Sequence, residues 1–214
     1  GENIHSKVKS LSDDCRIIRD QWNGFCVLSP YASRSGGLEI GFLPSKSGLN
    51  AKQIKKKISE NKIKLLFLIE ADDFDLSNLD IKSTKIIYLG HHGDILASKA
   101  HIILPITAFT EKKALYVNIE GRPQFTKKII KNKGMAVDSW KIFRALADKF
   151  NLKFSYNNHE QLINKIFKLH PEISLINKIV TAEWKSSKES VIKLNPLKNN
   201  FAVTNYYQTC PITR

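Results

Sequence analysis

Four short apolar runs constrain the fold of this chain more than any other feature of its sequence. They are rich in Ile, Leu, Val and Tyr, and they span residues 63–69, 86–89, 101–104 and 115–119. Each run ends at a polar, Gly-containing or Pro-containing break, as expected for a strand followed by a turn. The first run is continuously apolar, which is typical of a strand in a parallel sheet covered on both faces. We therefore predict buried strands with polar turns at their ends.

Three stretches have the apolar spacing of amphipathic helices. They span residues 51–61, 138–150 and 159–169. Asp138 is a good N-cap for the second helix. Asn158 and Gln161 form a capping pair for the third, which is predicted to end before Pro171. The alternation of helix and strand predicts an α/β fold that is Rossmann-like, with a mostly parallel sheet and flanking helices.

Polar tips follow the first two predicted strands, at residues 70–73 and 90–94. In open α/β sheets, ligands bind outside the carboxyl ends of the strands. These two tips are therefore where a site would be expected. The connection between the two strands includes a variable piece at residues 77–82, and residues 45–48 are predicted to form a loop.

The chain is predicted to divide into a core and less regular ends. Residues 1–20 are an N-terminal extension or connector, 21–150 the α/β core domain, 151–198 a mostly helical, divergent segment, and 199–214 a C-terminal segment that packs on the core. Within the core, a short helix or turn is predicted to be closed by Gly36 and Gly37. Because the sequence starts at Gly1 and not at Met, we expect a fragment, a processed piece or a partial sequence.

The net charge of +14 requires an explanation. The excess is scattered lysine, with abundant Asn and Ile, and the only dense cluster is Lys55 to Lys57. An AT-rich coding sequence produces this composition without selection for a ligand. No helix-turn-helix, RNP or zinc-finger pattern occurs. We therefore interpret the lysine cluster as a solvated helix face and predict no nucleic-acid partner.

The three cysteines, Cys15, Cys26 and Cys210, are far apart in the sequence. They form neither a disulfide framework nor a C-x-x-C metal site. Cys26 lies among apolar residues and is interpreted as a packed thiol. No G-x-G-x-x-G or P-loop motif occurs, so neither NADH nor ATP binding is supported. Apolar runs of about 18 residues, as needed to span a membrane, are also absent.

A histidine-rich stretch is the strongest candidate for a metal site. It contains His91, His92 and Asp94, with His101 a little further on. A metal needs three or four converging ligands, whereas adjacent histidines in a strand or turn usually point apart. The flanking glycines favour a structural or interface turn. A pH-sensitive role for the histidines stays open.

Two glutamates, Glu111 and Glu120, are candidates for a general acid/base pair, although nothing in the sequence brings them together. Asn118, Glu120 and Arg122 alternate along the chain. In a strand they would share one face and form a hydrogen-bonded edge with the following turn. We favour this structural interpretation.

Residues 100–122 carry the strongest resemblance to a known family. AHIILP at 100–105, then Phe109, Glu111, YVN at 116–118 and EGR at 120–122 resemble the A-D-(V/I)-(V/I)-L-P…E…(Y/F)-x-N-x-E-G-R signature of the molybdopterin oxidoreductase superfamily.

Further blocks resemble one branch of that superfamily, the C-terminal half of the large iron-sulfur subunit of respiratory complex I, NADH:quinone oxidoreductase. They are GHHGD at 90–94, WNGF at 22–25 with ASR and GGLEIGF at 32–42, and CPITR at 210–214. The last resembles D-P-I-(S/A)-R, with Cys210 where the family has Asp. The resemblance covers residues 22–150 and is weak or absent over 152–198.

The resemblance implies a molybdopterin-oxidoreductase-like domain without its cofactor. The family's iron-sulfur clusters lie in a cysteine-rich N-terminal region that this sequence does not contain. The resemblance therefore implies that this chain has no catalytic, cofactor-binding or metal-binding residue, and it implies no activity from this chain alone. The implied role is a non-catalytic scaffold of the complex I peripheral arm, supporting electron transfer from NADH to quinone.

The implied partners are other peripheral-arm subunits and the cluster-bearing part of the same subunit, with membrane contact only through the complex. The implied location is the matrix side of the mitochondrial inner membrane, or the cytoplasmic side of a bacterial one.

Two other functions stay open. One is a fragment of a molybdopterin-dependent oxidoreductase, which the LP…N-x-E-G-R signature favours. The other is a basic nucleic-acid-binding module, which the charge favours.

Overall fold

A computed structural model of the chain describes residues 2–20, 22–29, 33–71, 74–93 and 95–180. The helices are α1 (Glu2–Asp14), α2 (Arg34–Glu39), α3 (Ala51–Ser59), α4 (Ile95–Ser98), α5 (Ser139–Lys149) and α6 (His159–Leu169), with a 3₁₀ turn at Pro171–Ser174. The strands are β1 (Ile18–Arg19), β2 (Trp22–Asn23), β3 (Leu65–Ile69), β4 (Lys85–Gly90), β5 (Ile102–Pro105), β6 (Leu115–Val117) and β7 (Pro123–Phe125).

The centre of the fold is a parallel sheet in the order β3-β4-β5. The register pairs Leu66 with Ile86, and Tyr88 with both Leu68 and Ile103. These strands coincide with three of the four predicted apolar runs, and the α/β prediction with a parallel sheet and flanking helices is confirmed. All three strands point the same way, so their carboxyl ends lie at one edge.

The main apolar core lies on one side of this sheet. Ile58 of α3 packs there with Leu66, Leu68, Ile86 and Tyr88. The predicted burial of the first strand on both faces is only partly correct, because Leu65 and Ile69 of β3 are 51% and 41% exposed. The continuous run of apolar letters identified a strand but did not determine what covers each face.

The connection from β3 to β4 contains no helix in its described residues, 70–71 and 74–84. Two aspartates fold it into turns instead. Asp75 Oδ1 accepts a hydrogen bond from Ser77 N at 2.8 Å, and Asp80 Oδ1 accepts one from Lys82 N at 3.1 Å. Such Asx turns compete with helix formation. The buried Leu76 covers the sheet in place of a helical crossover.

The three predicted helices form close to their predicted bounds. Helix α3 begins with a capping box, in which Asn50 Oδ1 accepts from Gln53 N and Gln53 Oε1 from Asn50 N, both at 2.9 Å. Asn158 caps α6 by accepting from Gln161 N at 2.8 Å, as predicted. The Gln161 side chain, however, accepts from Asn157 N at 2.7 Å. Helix α6 ends at Leu169, before Pro171 as predicted.

The structure differs from the prediction at Asp138. Asp138 is the N-cap residue of α5, but its side chain makes no cap hydrogen bond. Its Oδ1 instead accepts from the hydroxyl of Thr107, at 2.7 Å. Thr107 lies 31 residues earlier in the chain and is fully buried. A tertiary hydrogen bond therefore replaces the local cap.

The N-terminal part is more regular than its sequence indicated. Helix α1 ends in a Schellman-type turn, in which Ile17 N donates to Ser12 O at 3.2 Å and Arg16 N to Asp13 O at 3.0 Å. Arg16 has a φ of 51° at the left-handed position of this turn.

The prediction that Gly36 and Gly37 close a helix is wrong, because both lie inside α2. A β-carbon added at Gly36 would lie 3.6 Å from Val117 N, so α2 packs closely on β6.

Strands β6 and β7 form an antiparallel hairpin beside the parallel sheet. An isolated parallel bridge joins Ile106 to Val137, which extends the sheet region toward α5. Residues 181–214, including the predicted C-terminal segment and Cys210, lie outside the described residues. The predicted division into domains stays a prediction. None of the helices in the described ranges is long and apolar enough to cross a bilayer.

Candidate functional site at the carboxyl edge of the sheet

The two polar tips predicted from sequence do meet at the carboxyl edge of the sheet. Glu70 follows β3, and its backbone N–H donates to Leu89 O of β4 at 2.9 Å. Its carboxylate Oε1 lies 4.0 Å from His91 Nδ1 and 2.9 Å from Lys112 Nζ. The Lys112 side chain is only 14% exposed, so this ion pair is partly shielded from solvent. Lys112 thus joins the segment before β6 to the end of β3.

Tyr88 contacts the backbone at Gly90 and His92. Its ring lies across the backbone of Gly90, where an added β-carbon would come within 2.4 Å of Tyr88 Cε1, Cζ and OH. Its hydroxyl donates to His92 O at 3.1 Å. Positions 88 and 90 share one face of the strand because side chains alternate. A side chain at position 90 is therefore incompatible with this ring position.

The histidines do not gather into one site. The rings of His91 and His92 are in edge-to-face contact, with centroids 4.8 Å apart, so the expectation that they point apart is wrong. His101 lies at the other end of the sheet, where its Nδ1 accepts from Ile86 N at 3.2 Å. The five residue steps from Ile86 to His91 span roughly 16 Å.

Asp94, the fourth residue of this grouping, lies outside the described residues. Within the described ranges, no group of three or more His, Cys, Asp or Glu could hold a metal ion. Nδ1 of His92 is buried and has no hydrogen-bond partner among the described residues. The structural or interface role of this turn stays a prediction.

A second polar cluster follows β5. The Thr107 backbone N–H donates to Val137 O at 3.1 Å, and its hydroxyl donates to Asp138 as described above. The buried carboxylate of Glu111 accepts from Ala108 N at 3.0 Å. This bond closes a local turn. Glu111 is therefore engaged with its own backbone, three residues away.

The predicted grouping of Asn118, Glu120 and Arg122 is present, but in a turn and not along a strand. Asn118 Oδ1 accepts from the backbone N–H groups of Glu120 and Arg122, both at 3.0 Å. Glu120 Oε2 accepts from Asn118 Nδ2 at 3.3 Å and from Arg122 Nη2 at 3.4 Å. Gly121 has a φ of 82°, which this turn requires. Arg122 Nη1 also donates to Asn177 O at 2.7 Å, connecting the hairpin to the segment after α6.

Two cavities of about 290 and 280 Å³ lie beside strand β6. The first lies between α2, β6 and α6, and Ile40, Phe42, Leu115 and Ile166 are among its apolar lining residues. The second is lined by residues that include Lys112, Asp138 and Trp140. The indole Nε1 of Trp140 is buried without a hydrogen-bond partner among the described residues.

The predicted solvated lysine cluster on α3 is only partly solvated. Lys56 and Lys57 lie 4.0 and 3.5 Å from the Glu60 carboxylate, and Lys55 Nζ is 5.1 Å from the centre of the Phe74 ring. Lys62 donates to Glu60 at 2.8 Å, and this contact holds the pKa of Glu60 below its ordinary value of 4.5.

Cys26 is exposed, so its interpretation as a packed thiol is wrong.

Sequence reasoning missed Lys112, Tyr88 and Thr107 as participants at this edge. Lys112 and Glu70 are 42 residues apart, so no local pattern marks their pairing. Tyr88 carried a detectable signal, since a large aromatic two residues before a strand-end glycine lies on that glycine's face of the strand.

Comparison with known proteins places this geometry in context. Residues 1–149 match the family model described as Molybdopterin oxidoreductase. The chain is 36% identical over 215 residues to an NADH-quinone oxidoreductase subunit of Rickettsia bellii, covering 100% of this chain and 29% of that protein. It is 36% identical over 214 residues to the NADH-ubiquinone oxidoreductase 75 kDa subunit of Reclinomonas americana, covering 96% of this chain and 30% of that one.

A fungal relative extends the comparison. The mitochondrial NADH-ubiquinone oxidoreductase 78 kDa subunit of Neurospora crassa is 33% identical over 213 residues, covering 95% of this chain and 27% of that protein. The chain thus spans about three tenths of the length of these curated relatives. The predicted fading of the resemblance after residue 150 agrees with the end of the family match, although the relatives align beyond it.

Proposed function

The chain belongs to the molybdopterin oxidoreductase family, and we propose that it is a non-catalytic scaffold region of the large iron-sulfur subunit of complex I. In this role it positions the cluster-bearing part of its own subunit and neighbouring subunits of the peripheral arm. Electrons pass from NADH to quinone through centres held elsewhere in the assembly. The support from comparison is that the curated relatives are NADH-quinone or NADH-ubiquinone oxidoreductase subunits.

One structural observation carries the scaffold proposal: polar groups at the carboxyl edge are bonded within the chain. Glu70 pairs with Lys112, Thr107 with Asp138, and Glu111 with the Ala108 backbone. A ligand that used these groups would have to break these pairs and leave a partly buried charge or a buried polar group without its partner. The edge is therefore better suited to hold segments of the chain together than to hold a ligand.

The cofactor typical of the family fits this edge poorly. A pterin dinucleotide carries phosphates, which need cations or open backbone N–H groups. Here Lys112 is held by Glu70, Lys113 Nζ lies 4.9 Å from the centre of the Phe125 ring, and the backbone at Gly90 is covered by Tyr88. We infer that this chain binds no pterin and supplies no redox centre.

The proposed location is the matrix side of the mitochondrial inner membrane, with the cytoplasmic side of a bacterial membrane as the alternative. Relatives of both kinds occur, since one is a Rickettsia protein and another is a mitochondrial protein of Neurospora crassa.

A native-gel separation of mildly solubilised membranes tests the function. One lane is probed with an antibody to this chain, and its twin is stained for NADH dehydrogenase activity. Co-migration in one large band is expected. A small species without the stain would refute membership of the assembly.

Stoichiometric molybdenum or tungsten in the purified chain would refute the scaffold role and favour a molybdopterin enzyme. Salt-dependent retardation of DNA by the chain would favour the basic-module alternative.

A further inference from the structure

The loop at residues 127–135, which we call the basic loop, combines positive charge with exposed apolar side chains. Between Gly121 and Val137 the sequence has five cations and no carboxylate. Four of these cations, Lys127, Lys128, Lys131 and Lys133, lie in the loop, and all four are exposed. Ile129 is 77% exposed and Met135 is 88% exposed. Hydration of the charged groups explains why the lysines are exposed. It does not explain why bulky apolar side chains are exposed among them.

The backbone of the basic loop is held in place by hydrogen bonds. Ile129 N and Ile130 N both donate to Thr110 O, at 2.9 and 3.2 Å. Asn132 Nδ2 donates to Ala136 O at 3.1 Å, and Ala136 N donates to Lys133 O at 3.1 Å. The exposed side chains are thus presented from a fixed backbone, which lowers the entropy lost when a partner binds.

A second exposed apolar group lies beside the loop. Phe109 is 64% exposed and directly precedes Thr110, whose carbonyl holds the two isoleucines. The surface therefore has apolar groups from two chain segments, with four lysines in the same loop. Protein interfaces combine an apolar centre with a polar rim.

We infer that the basic loop and Phe109 form a docking surface for an acidic face of another polypeptide. Charge complementarity selects a partner rich in Asp and Glu around an apolar centre, because the loop has four lysines and no carboxylate. This inference rests on the proposed function in taking that polypeptide to be a neighbour in the assembly.

Other occupants fit less well. Nucleic-acid phosphates would pair with the lysines but would leave Ile129 and Met135 unmatched. Insertion into a membrane interface requires apolar side chains to reach roughly 5–10 Å into the lipid. The backbone bonds from Ile129 and Ile130 to Thr110 tie this part of the loop to the body of the chain and leave the Ile129 side chain exposed. A loop held in this way matches a protein surface better than a lipid interface.

The test uses zero-length carbodiimide cross-linking, which joins lysine amines directly to carboxylates, on solubilised membranes. The native-gel band that contains the chain is excised and its cross-linked peptides are identified by mass spectrometry. We expect links from the basic loop to Asp or Glu of a different polypeptide. Loop lysines linked only within the chain, or unlinked while other lysines reach a neighbour, would overturn the inference.

A charge-matched pair of variants makes the test specific. The loop variant carries Lys→Glu at positions 127, 128, 131 and 133, and the control carries Lys→Glu at the exposed positions 46, 52, 149 and 153. The fraction of chain in the large band is expected to fall by roughly tenfold for the loop variant and to change little for the control. Equal losses would contradict a specific surface.

Two further results are informative. One separates a protein partner from a membrane, and the other separates the docking surface from the complex I proposal. Salt-sensitive flotation of the wild-type chain, but not the loop variant, with phosphatidylserine vesicles would replace the protein partner with a membrane. If the band containing the chain lacks NADH dehydrogenase activity, the complex I proposal fails. Loop cross-links to an acidic polypeptide in that band would still support the docking surface.

Discussion

Replacing Gly90 by alanine tests the packing at the centre of the carboxyl edge. The new β-carbon would lie 2.4 Å from three atoms of the Tyr88 side chain, closer than carbon atoms tolerate. Tyr88 is only 2% exposed, so its ring has no open space to enter. Relieving such overpacking costs about 1–3 kcal/mol. Loss of the hydroxyl bond to His92 O adds about 0.5–1.5 kcal/mol. We expect Gly90→Ala to lower the free energy of unfolding by about 1.5–4.5 kcal/mol.

The measurement is urea unfolding of the full chain followed by circular dichroism, with Gly93→Ala as the matched control. A β-carbon at Gly93 meets no atom within 4 Å, and this glycine is exposed. Its replacement should change the free energy of unfolding by less than about 0.5 kcal/mol.

A double-mutant cycle isolates the contact between the two residues. In a Tyr88→Leu background the ring is absent, so Gly90→Ala should lose at least about 1 kcal/mol of its effect. Equal effects of the two glycine substitutions, or a coupling near zero, would refute the steric interpretation of this segment.

Three further perturbations test other contacts. Thr107→Val removes the donor to Asp138 and should lower the free energy of unfolding by about 1.5–3 kcal/mol, measured by urea unfolding; no change would mean that Asp138 caps α5 instead. Asn50→Ala removes the capping box of α3 and should cost about 1 kcal/mol in thermal unfolding. The Glu60 carboxyl should titrate below pH 4.5 by NMR, because Lys62 bonds to its charged form and lowers its pKa. Its stabilising effect is then present above pH 4.5 and is lost as the pH falls through the lowered pKa, and Glu60→Gln should abolish that pH dependence.

Elements encoded by local patterns were predictable from the sequence. The strands at 65–69, 85–90 and 102–105 follow directly from apolar runs ended by turn residues. Helices α3 and α6 follow from their apolar stripes, and α6 also from its predicted cap, Asn158. Helix α1 was missed because its sequence is mostly polar. Helix α2 was misread because two glycines inside a helix are locally unfavourable, and its packing on β6 overrides that preference.

Contacts between distant residues were not predictable from local pattern. Asp138 has the sequence context of an N-cap, and only the fold brings Thr107 within 2.7 Å of it. The parallel direction of β3 and β4 places Glu70 near His91. The sequence predicted the two polar tips at the carboxyl ends of these strands, but not this pair. The ammonium group of Lys112 arrives from 42 residues away, and periodicity contains no information about it.

The long-range pairs bear on the proposed scaffold role. Strand order and direction create the carboxyl edge whether or not a ligand binds there, and a fold does not by itself imply a function. Side-chain pairing across that edge decides whether its polar groups can meet a ligand. Here Lys112 with Glu70 and Thr107 with Asp138 satisfy one another. Under the proposed function, long-range pairs and not loss of the sheet keep this edge from a ligand, and a change at Lys112 would alter the edge while leaving the sequence motifs intact.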